Sequence, residues 1–190
     1  KIPYTHSGVI SSYNSMNKTI SKEIFIKNKI LTPKYFSIFN FEFKNSNIKK
    51  LLIKNRIHFP VVVKPISEGS SLGVKIVKNL NQLQKFSKSL FKYYDQLIFE
   101  QYIGGQEIQA AVINKVPIGA IELVPKRSFY DYKAKYSKSA KTKHIMPARL
   151  NKNKYNQILK IAKKAHLALE CKGVTRSDFK YFKDKFYLLE

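Results

Sequence analysis

The sequence is poor in sulfur, acid and arginine, and each shortage excludes something. Its 190 residues include one cysteine, two methionines and no tryptophan. A lone Cys171 rules out a disulfide framework and every zinc pattern that needs paired thiolates. It also points to a reducing compartment, the cytoplasm. Apolar runs are short, residues 59–63 being typical, so none reaches the length of a membrane-spanning helix. Acidic residues number 12 against 36 basic ones, a formal net charge of +24. Such a field concentrates polyanions. Yet only Arg56, Arg127, Arg149 and Arg176 are arginine, the side chain best suited to bases and phosphate forks. The lysines are spread along the whole chain and form no stripe. The charge therefore reads as a lysine-rich surface, with neither nucleic acid nor membrane expected as a partner. A non-catalytic basic module binding nucleic acid is the alternative from another class, and it predicts duplex binding with a steep salt slope.

What is present is ordinary for a folded domain. Hydrophobic residues make up 44% and charged ones 25%, which excludes disorder and fibrous repeats. The length allows one large domain or two small ones. The first residue is Lys1 and the last, Glu190, closes an apolar run, so a piece of a longer protein is expected. With so few carboxylates, those retained in motif-like segments stand out: Glu68, Glu100, Glu107, Asp178 and Glu190.

Periodicity outlines the elements. Residues 17–28 predict an amphipathic helix with Ile20, Ile24 and Phe25 on one face, ended by Thr32 and Pro33. Residues 34–39 read as a strand, 47–57 as a weaker helix, and 59–64 and 74–77 as strands around a Ser/Gly loop. Asn79 caps a helix carrying Leu80, Leu83, Phe86 and Leu90 at helical spacing. Strands are expected over 96–102, 107–113 and 117–123, then a polar segment, 125–147, of the length that is usually functional. Asn151 caps a helix with Tyr155, Ile158, Leu159, Ala162, Ala165, His166 and Leu169 on one face. A hairpin of residues 174–181 and 186–189, turned at Lys183, Asp184 and Lys185, closes the chain. The order predicts an α+β class with a join near residue 100.

Three segments carry candidate chemistry. In residues 63–74, Lys64 ends a buried strand before a loop holding Glu68, Gly69, Ser70, Ser71 and Gly73. Glycines and hydroxyls around an ammonium suit a phosphate, although the spacing is not that of a P-loop and an ordinary hairpin loop fits the composition too. In residues 99–107, Glu100 and Glu107 bracket Gly104 and Gly105. They could accept from an adenine amino group and ribose hydroxyls, or be solvated strand-end glutamates. Finally, Arg176 and Asp178 share a strand face, with Glu190 on the partner strand. Two carboxylates and an arginine suit magnesium on a triphosphate and a developing oxyanion; a cross-strand ion pair of Arg176 with either acid is the alternative. His166 lies on an apolar helix face as a core residue, and His6, His58 and His144 have no metal spacing. Cys171 reads as a small buried hydrophobe.

Taken together, these segments resemble the D-alanine–D-alanine ligase family of the ATP-grasp fold. The resemblance runs along essentially the whole chain: Ile2-Pro-Tyr-Thr-His-Ser-Gly8, Met16-Asn-Lys18, the loop of residues 64–74, residues 100–107, Phe129-Tyr-Asp-Tyr-Lys-Ala-Lys-Tyr136, Pro147-Ala148, Cys171-Lys-Gly173, Arg176-x-Asp178 and Tyr187-Leu-Leu-Glu190. The aromatic–lysine segment at 129–136 is the most specific. The resemblance implies an α+β ATP-grasp fold in which two subdomains sandwich ATP. Residues 1–6 would be the tail of an N-terminal substrate domain, 7–99 the central subdomain and 100–190 the C-terminal subdomain, truncated at its end. Lys18 and Lys64 would hold ATP phosphates beneath the loop of Glu68, Ser70 and Ser71. Glu100 would meet the adenine amino group, the backbone of Gln101, Tyr102 and Ile103 the ring, and Glu107 the ribose. Lys135 would approach the γ-phosphate from a lid spanning 125–147. Tyr136 would bond Ser70, Arg176 would stabilise the tetrahedral intermediate, and Asp178 and Glu190 would bind magnesium, or manganese in its place.

The activity implied is ATP-dependent joining of two D-alanines through an acyl phosphate, for peptidoglycan precursors, by a homodimer in the full-length protein. Another ATP-grasp carboxylate–amine ligase is the alternative within enzymes, and the Tyr136 segment argues against it. His6 stands where the family has glycine and Asn17 where it has aspartate. The family's first-substrate residues, the asparagine metal ligand two positions beyond Glu190 and the second-substrate loop are not in this sequence, so the 190 residues alone are expected to be inactive.

Overall fold

A computed structural model describes residues 2–125 and 142–190. Contacts divide the chain into two compact units, Pro33–Ile103 and a discontinuous one made of Lys1–Thr32 with Gly104–Glu190.

The contiguous unit is a four-stranded antiparallel sheet with three helices. Strands β1 (Tyr35–Phe39), β2 (Val61–Pro65), β3 (Lys75–Val77) and β4 (Gln96–Gln101) lie in the order β1-β4-β2-β3. Helices α1 (Val9–Met16) and α2 (Lys18–Lys27) precede this unit in the chain, and α3 (Asn40–Asn45), α4 (Ile48–Lys54) and α5 (Leu80–Leu90) belong to it. The Val-rich run of β2 is buried because α5 covers it. Asn79 caps α5 as expected, its side chain accepting from Gln82 N. Leu83 and Leu90 meet Val61, Val63, Leu97 and Phe99 in one core.

The discontinuous unit is a five-stranded antiparallel sheet, β7-β6-β5-β8-β9, of β5 (Gln106–Ile113), β6 (Val116–Val124), β7 (Lys143–Ile145), β8 (Val174–Phe182) and β9 (Lys185–Leu188). Helix α6 (Lys152–Ala168), capped by Asn151, lies on one face. Small residues at that contact, Ala110 and Ala120 from the sheet and Ala162 and Ala165 from the helix, let the two backbones approach closely. The β5–β6 and β8–β9 hairpins turn on Asn114–Lys115 and Lys183–Asp184. All four residues have positive φ, the backbone twist that two-residue hairpins require.

Three local expectations change. Helix α2 ends at Lys27, earlier than Pro33 demands: Lys29 adopts φ 53° and Ile30 N donates back to Phe25 O at 2.9 Å, a left-handed closure that completes the helix end. Its buried face is Lys18, Ser21, Lys22 and Phe25, so two lysines occupy the side where Ile20 and Ile24 were expected to dominate. Helices α1 and α3 and strand β7 carry too weak a pattern to be read beforehand. In α1 only Ser11 is buried while Val9, Ile10 and Tyr13 face outward, the reverse of an amphipathic signature. By packing, residues 1–32 group with the second half. The reason is visible in the contacts of α2: Phe25 and Ile30 enter the core of α6 and β8, and Leu31 O accepts from Leu188 N at 2.9 Å.

Candidate functional site

In the contiguous unit, adjacent antiparallel strands bring Lys64 of β2 against Glu100 of β4. Their register pairs Val62 with Glu100 and Lys64 with Ile98, so the two charged residues are diagonal neighbours on one face. Lys64 Nζ lies 3.0 Å from Glu100 Oε2, with both side chains less than a tenth exposed. From Pro65 the chain enters the loop that returns in β3. Ser70 and Ser71 both take left-handed conformations, φ 54° and 62°, unusual for non-glycine residues and a kind of departure that clusters at ligand-binding loops. Gly73 follows with φ 67°; a Cβ there would sit 2.9 Å from the Pro65 ring. Burial foremost, and then the neighbouring Glu68 carboxylate, push the Tyr94 phenol's pKa up.

Beyond Glu100 the polar groups are partly committed to the fold. Gln101 Oε1 accepts from His58 N at 2.8 Å and Nε2 donates to His58 O at 3.1 Å. The N–H groups of Gln101 and Tyr102 donate to Lys34 O and Pro60 O. Gln101 thus braces the chain before β2, and any ring bound at this strand end must use the carbonyls or the Ile103 N–H. A recess of about 480 Å³ beside Phe43 and Phe91 is ringed by Lys44, Lys88 and Lys92 and shares no residue with the Lys64–Glu100 pair.

In the discontinuous unit the register decides which side chains gather. Glu107 pairs with Lys180, Gln109 with Asp178 and Ala111 with Arg176. Alternation then places all of these on the face opposite α6, because Ile108, Ala110 and Phe179 take the helix side. Asp178 is 5% exposed. Its carboxylate accepts from Arg176 Nε at 2.9 Å and Nη2 at 3.4 Å, and from Gln109 Nε2 at 3.3 Å. Arg176 and Asp178 thus pair within β8, between residues two apart, and not across strands. Asp178 N donates to Glu190 O and Leu189 N to Asp178 O, each at 2.8 Å, which sets Glu190 beside Asp178. The Glu190 carboxylate lies 3.5 Å from the buried Lys18 Nζ at the start of α2. Asn17 caps that helix through Thr19 N and Ile20 N, so its amide does what an aspartate there would do. Glu107 pairs with Lys180 at 2.9 Å.

Behind Arg176 and Glu190 lies a cavity of about 170 Å³, lined also by Ser21, Phe25, His166 and Cys171. His166 is a core residue, as its helix position implied. Its Nδ1 lies 2.8 Å from Thr175 Oγ1, while burial foremost and then the charge of Lys115 hold its pKa below the usual value. Cys171 is buried and accepts from Ser11 Oγ at 3.3 Å. Lys135 and Tyr136 lie outside the described residues.

Sequence reasoning passed over Gln109, Lys180 and the pair Glu122–Arg149. The partners of the first two are separated by 69 and 73 residues, and only strand register reveals them. Glu122 is buried on β6 and takes Arg149 Nε and Nη2 at 2.8 Å each, with Gln106 adding a third donor. Those bonds hold its carboxyl pKa below the ordinary value. Its scarcity-based signal was available, since it is one of only 12 acids.

Comparison with known proteins settles the family. Residues 24–190 match the family described as D-ala D-ala ligase C-terminus. The chain belongs to the D-alanine–D-alanine ligase family. Across its whole length it is 57% identical to the D-alanine–D-alanine ligase of Pelagibacter ubique, covering 61% of that protein. The ligase fold is equally plain in the structures. The crystal structure of the Bacillus anthracis D-alanine–D-alanine ligase superposes on all of this chain with a TM-score of 0.84 at 31% identity, over 60% of its own length. The same ligase complexed with ATP gives 0.82 at 29% identity, over 59% of its length. The chain spans about three fifths of the length of these relatives, and its fold is the α+β ATP-grasp fold expected of the family.

Proposed function

We propose that this chain supplies the nucleotide-binding and much of the catalytic machinery of an ATP-dependent ligase that joins two D-alanine molecules. The observation that carries the reading is chemical. In a chain with a formal charge of +24, two nearly inaccessible carboxylates, Glu100 and Asp178, each stand against a cation, Lys64 and Arg176, at the family's motif positions. The relative solved with ATP supports the nucleotide.

In this reading the phosphates lie against Lys64 and Lys18, whose ammonium groups offset the charge that builds on them. The Glu68–Ser71 loop covers them and supplies hydroxyl and backbone donors. Glu100 takes the adenine amino group, the strand end at Gln101–Ile103 the ring, and Glu107 the ribose hydroxyls. The carboxylate of the first D-alanine attacks the γ-phosphorus, releasing ADP and leaving an acyl phosphate. The amine of the second D-alanine then attacks the carbonyl carbon, phosphate departs, and the amine loses a proton. Arg176, anchored on Asp178 through Nε and Nη2, turns its remaining N–H groups to the oxyanion of the tetrahedral intermediate. Lys135 and Tyr136 are assigned by family position to the transferring phosphate and to Ser70. Catalysis rests on placement, charge neutralisation and exclusion of water, since water would hydrolyse the acyl phosphate.

Asp178 and Glu190, oxygen donors on adjoining strands, fit a hard divalent cation arriving with the triphosphate. Magnesium, or manganese, held there would neutralise the β- and γ-phosphates. Peptidoglycan precursor synthesis in the cytoplasm and a homodimeric full-length protein complete the reading. The test is phosphate release from Mg–ATP by the protein's full reading frame, with D-alanine, L-alanine, or D-alanine plus D-lactate. Release that requires D-alanine and yields the dipeptide is expected. Release indifferent to D-alanine would overturn the substrate assignment.

A further inference from the structure

The recess between α3 and α5, about 480 Å³, has the volume of a pocket for a small organic molecule. Its floor is apolar. Phe43, Ile48 and Phe91 line it, each at most 9% exposed, and the two rings pack with centroids 5.0 Å apart. Its walls are tied together by Asn40, whose Nδ2 donates to Phe91 O at 3.3 Å and whose N–H donates to Asp95 O at 2.9 Å. Lys44 from α3, with Lys88 and Lys92 from α5 and its C-terminal side, stand exposed around the rim. The ordinary employments of a lysine are taken up by other groups here. Among the described residues no carboxylate lines the recess, and the one acid of α3, Glu42, accepts the Phe39 N–H at 2.9 Å. Nor are ammonium groups needed to close the end of α5, a common post for a cation. There Phe86 O accepts from Ser89 Oγ, Ser87 O from Phe91 N, Leu90 O from Tyr93 N and Tyr94 N, and Phe91 O from Asn40 Nδ2.

We propose that this recess is a second binding site, for an organic phosphate: a flat apolar body lies against Phe43 and Phe91, and the phosphate sits among Lys44, Lys88 and Lys92. Charge complementarity carries the choice of ligand. Like charges gathered over an apolar surface repel one another, and a dianion placed between them removes that repulsion while its body covers the floor. Because the recess shares no residue with the Lys64–Glu100 pair, the inference stands apart from the ATP reading.

The probe is 1-naphthyl phosphate, titrated calorimetrically into the full reading frame, with inorganic phosphate and 1-naphthol as the charge alone and the body alone. Two triple variants are compared with the wild type, each checked by a thermal melt. Lys44→Gln/Lys88→Gln/Lys92→Gln strips the rim, and Lys160→Gln/Lys163→Gln/Lys164→Gln removes the same charge from exposed positions of α6. Each exposed ammonium contact should be worth about two- to fivefold in affinity. The rim variant is therefore expected to bind 1-naphthyl phosphate about tenfold or more weakly, and the α6 variant to stay within about twofold of the wild type. Inorganic phosphate and 1-naphthol should each bind the wild type far more weakly than the joined probe. Wild-type affinity in the rim variant overturns the inference, as does an equal loss in the α6 variant, which is what diffuse charge produces. Inorganic phosphate binding as tightly as the probe, or no saturable binding of the probe, overturns it too.

Discussion

Replacing Lys64 with methionine should destabilise the protein in a strongly pH-dependent way. The pair it breaks is 3.0 Å long, with side chains 8% and 3% exposed. At an effective dielectric constant near 20, charges at that distance attract by roughly 5 kcal/mol, much of it offset by their desolvation. The loss on removing one partner has a ceiling, because a buried carboxylate left without its ammonium can neutralise itself by taking a proton. That costs about 1.4 kcal/mol for each pH unit above the ordinary glutamate value, hence about 3.7 kcal/mol at pH 7 and about 1 kcal/mol at pH 5. Lys64→Met should therefore cost about 3–4 kcal/mol at pH 7 and much less at pH 5, within the range for broken buried pairs. Glu100→Gln in the same background should recover most of the loss, since no charge remains to be stranded. Urea unfolding followed by circular dichroism at both pH values, for the two single variants and the double, measures all of this. A Lys64→Met loss below about 1 kcal/mol at pH 7, or one equal at pH 5 and 7, would refute the reasoning.

Two further predictions concern the discontinuous unit. Glu122 has its pKa lowered in the folded state, chiefly by the Arg149 hydrogen bonds, from an ordinary value of 4.5. Its stabilising contribution is thus fully present above pH 4.5 and lost as pH falls through the lower folded value. Glu122→Gln should flatten the decline in melting temperature between about pH 5 and pH 3; an acid limb parallel to the wild type's would count against the pair. Neighbouring glycines should also behave differently. A Cβ at Gly105 (φ 82°) would lie 2.1 Å from Tyr181 O, whereas at Gly104 the nearest atom is a Phe182 ring carbon at 3.8 Å. Gly105→Ala should lose at least about 2 kcal/mol by denaturant midpoint and Gly104→Ala under about 1 kcal/mol; comparable losses at the two sites would contradict the close approach of β8.

Much of the fold was legible because its signals are local. Asn79 and Asn151 cap the helices expected of them, each accepting from an N–H three residues on. The closing hairpin turns at Lys183 and Asp184, where a two-residue loop needs positive φ. Family motifs likewise pointed to Lys64, Glu100, Arg176, Asp178 and Glu190 before any of their distances were known. The end of α2 escaped the same reasoning: Pro33 is a visible stop, but Lys29 ends the helix first by a backbone closure that no side chain announces.

By itself, then, the sequence determined the class, most element positions, the family and the cast of charged residues, since caps, alternation and motif spacing act over a few residues. Which of those charges meet was left to the tertiary structure. That Glu107 faces Lys180, that Gln109 braces Asp178, and that α2 buries Lys18 and Lys22 while Ile20 and Ile24 are only half-buried follow from strand register and from the packing of a distant helix. A one-residue slip in either would turn every one of these side chains to another face. The composition marks a lysine as a charge, and only the packing around it decides whether that charge meets solvent or, as at Lys22, the hydroxyl of Thr32.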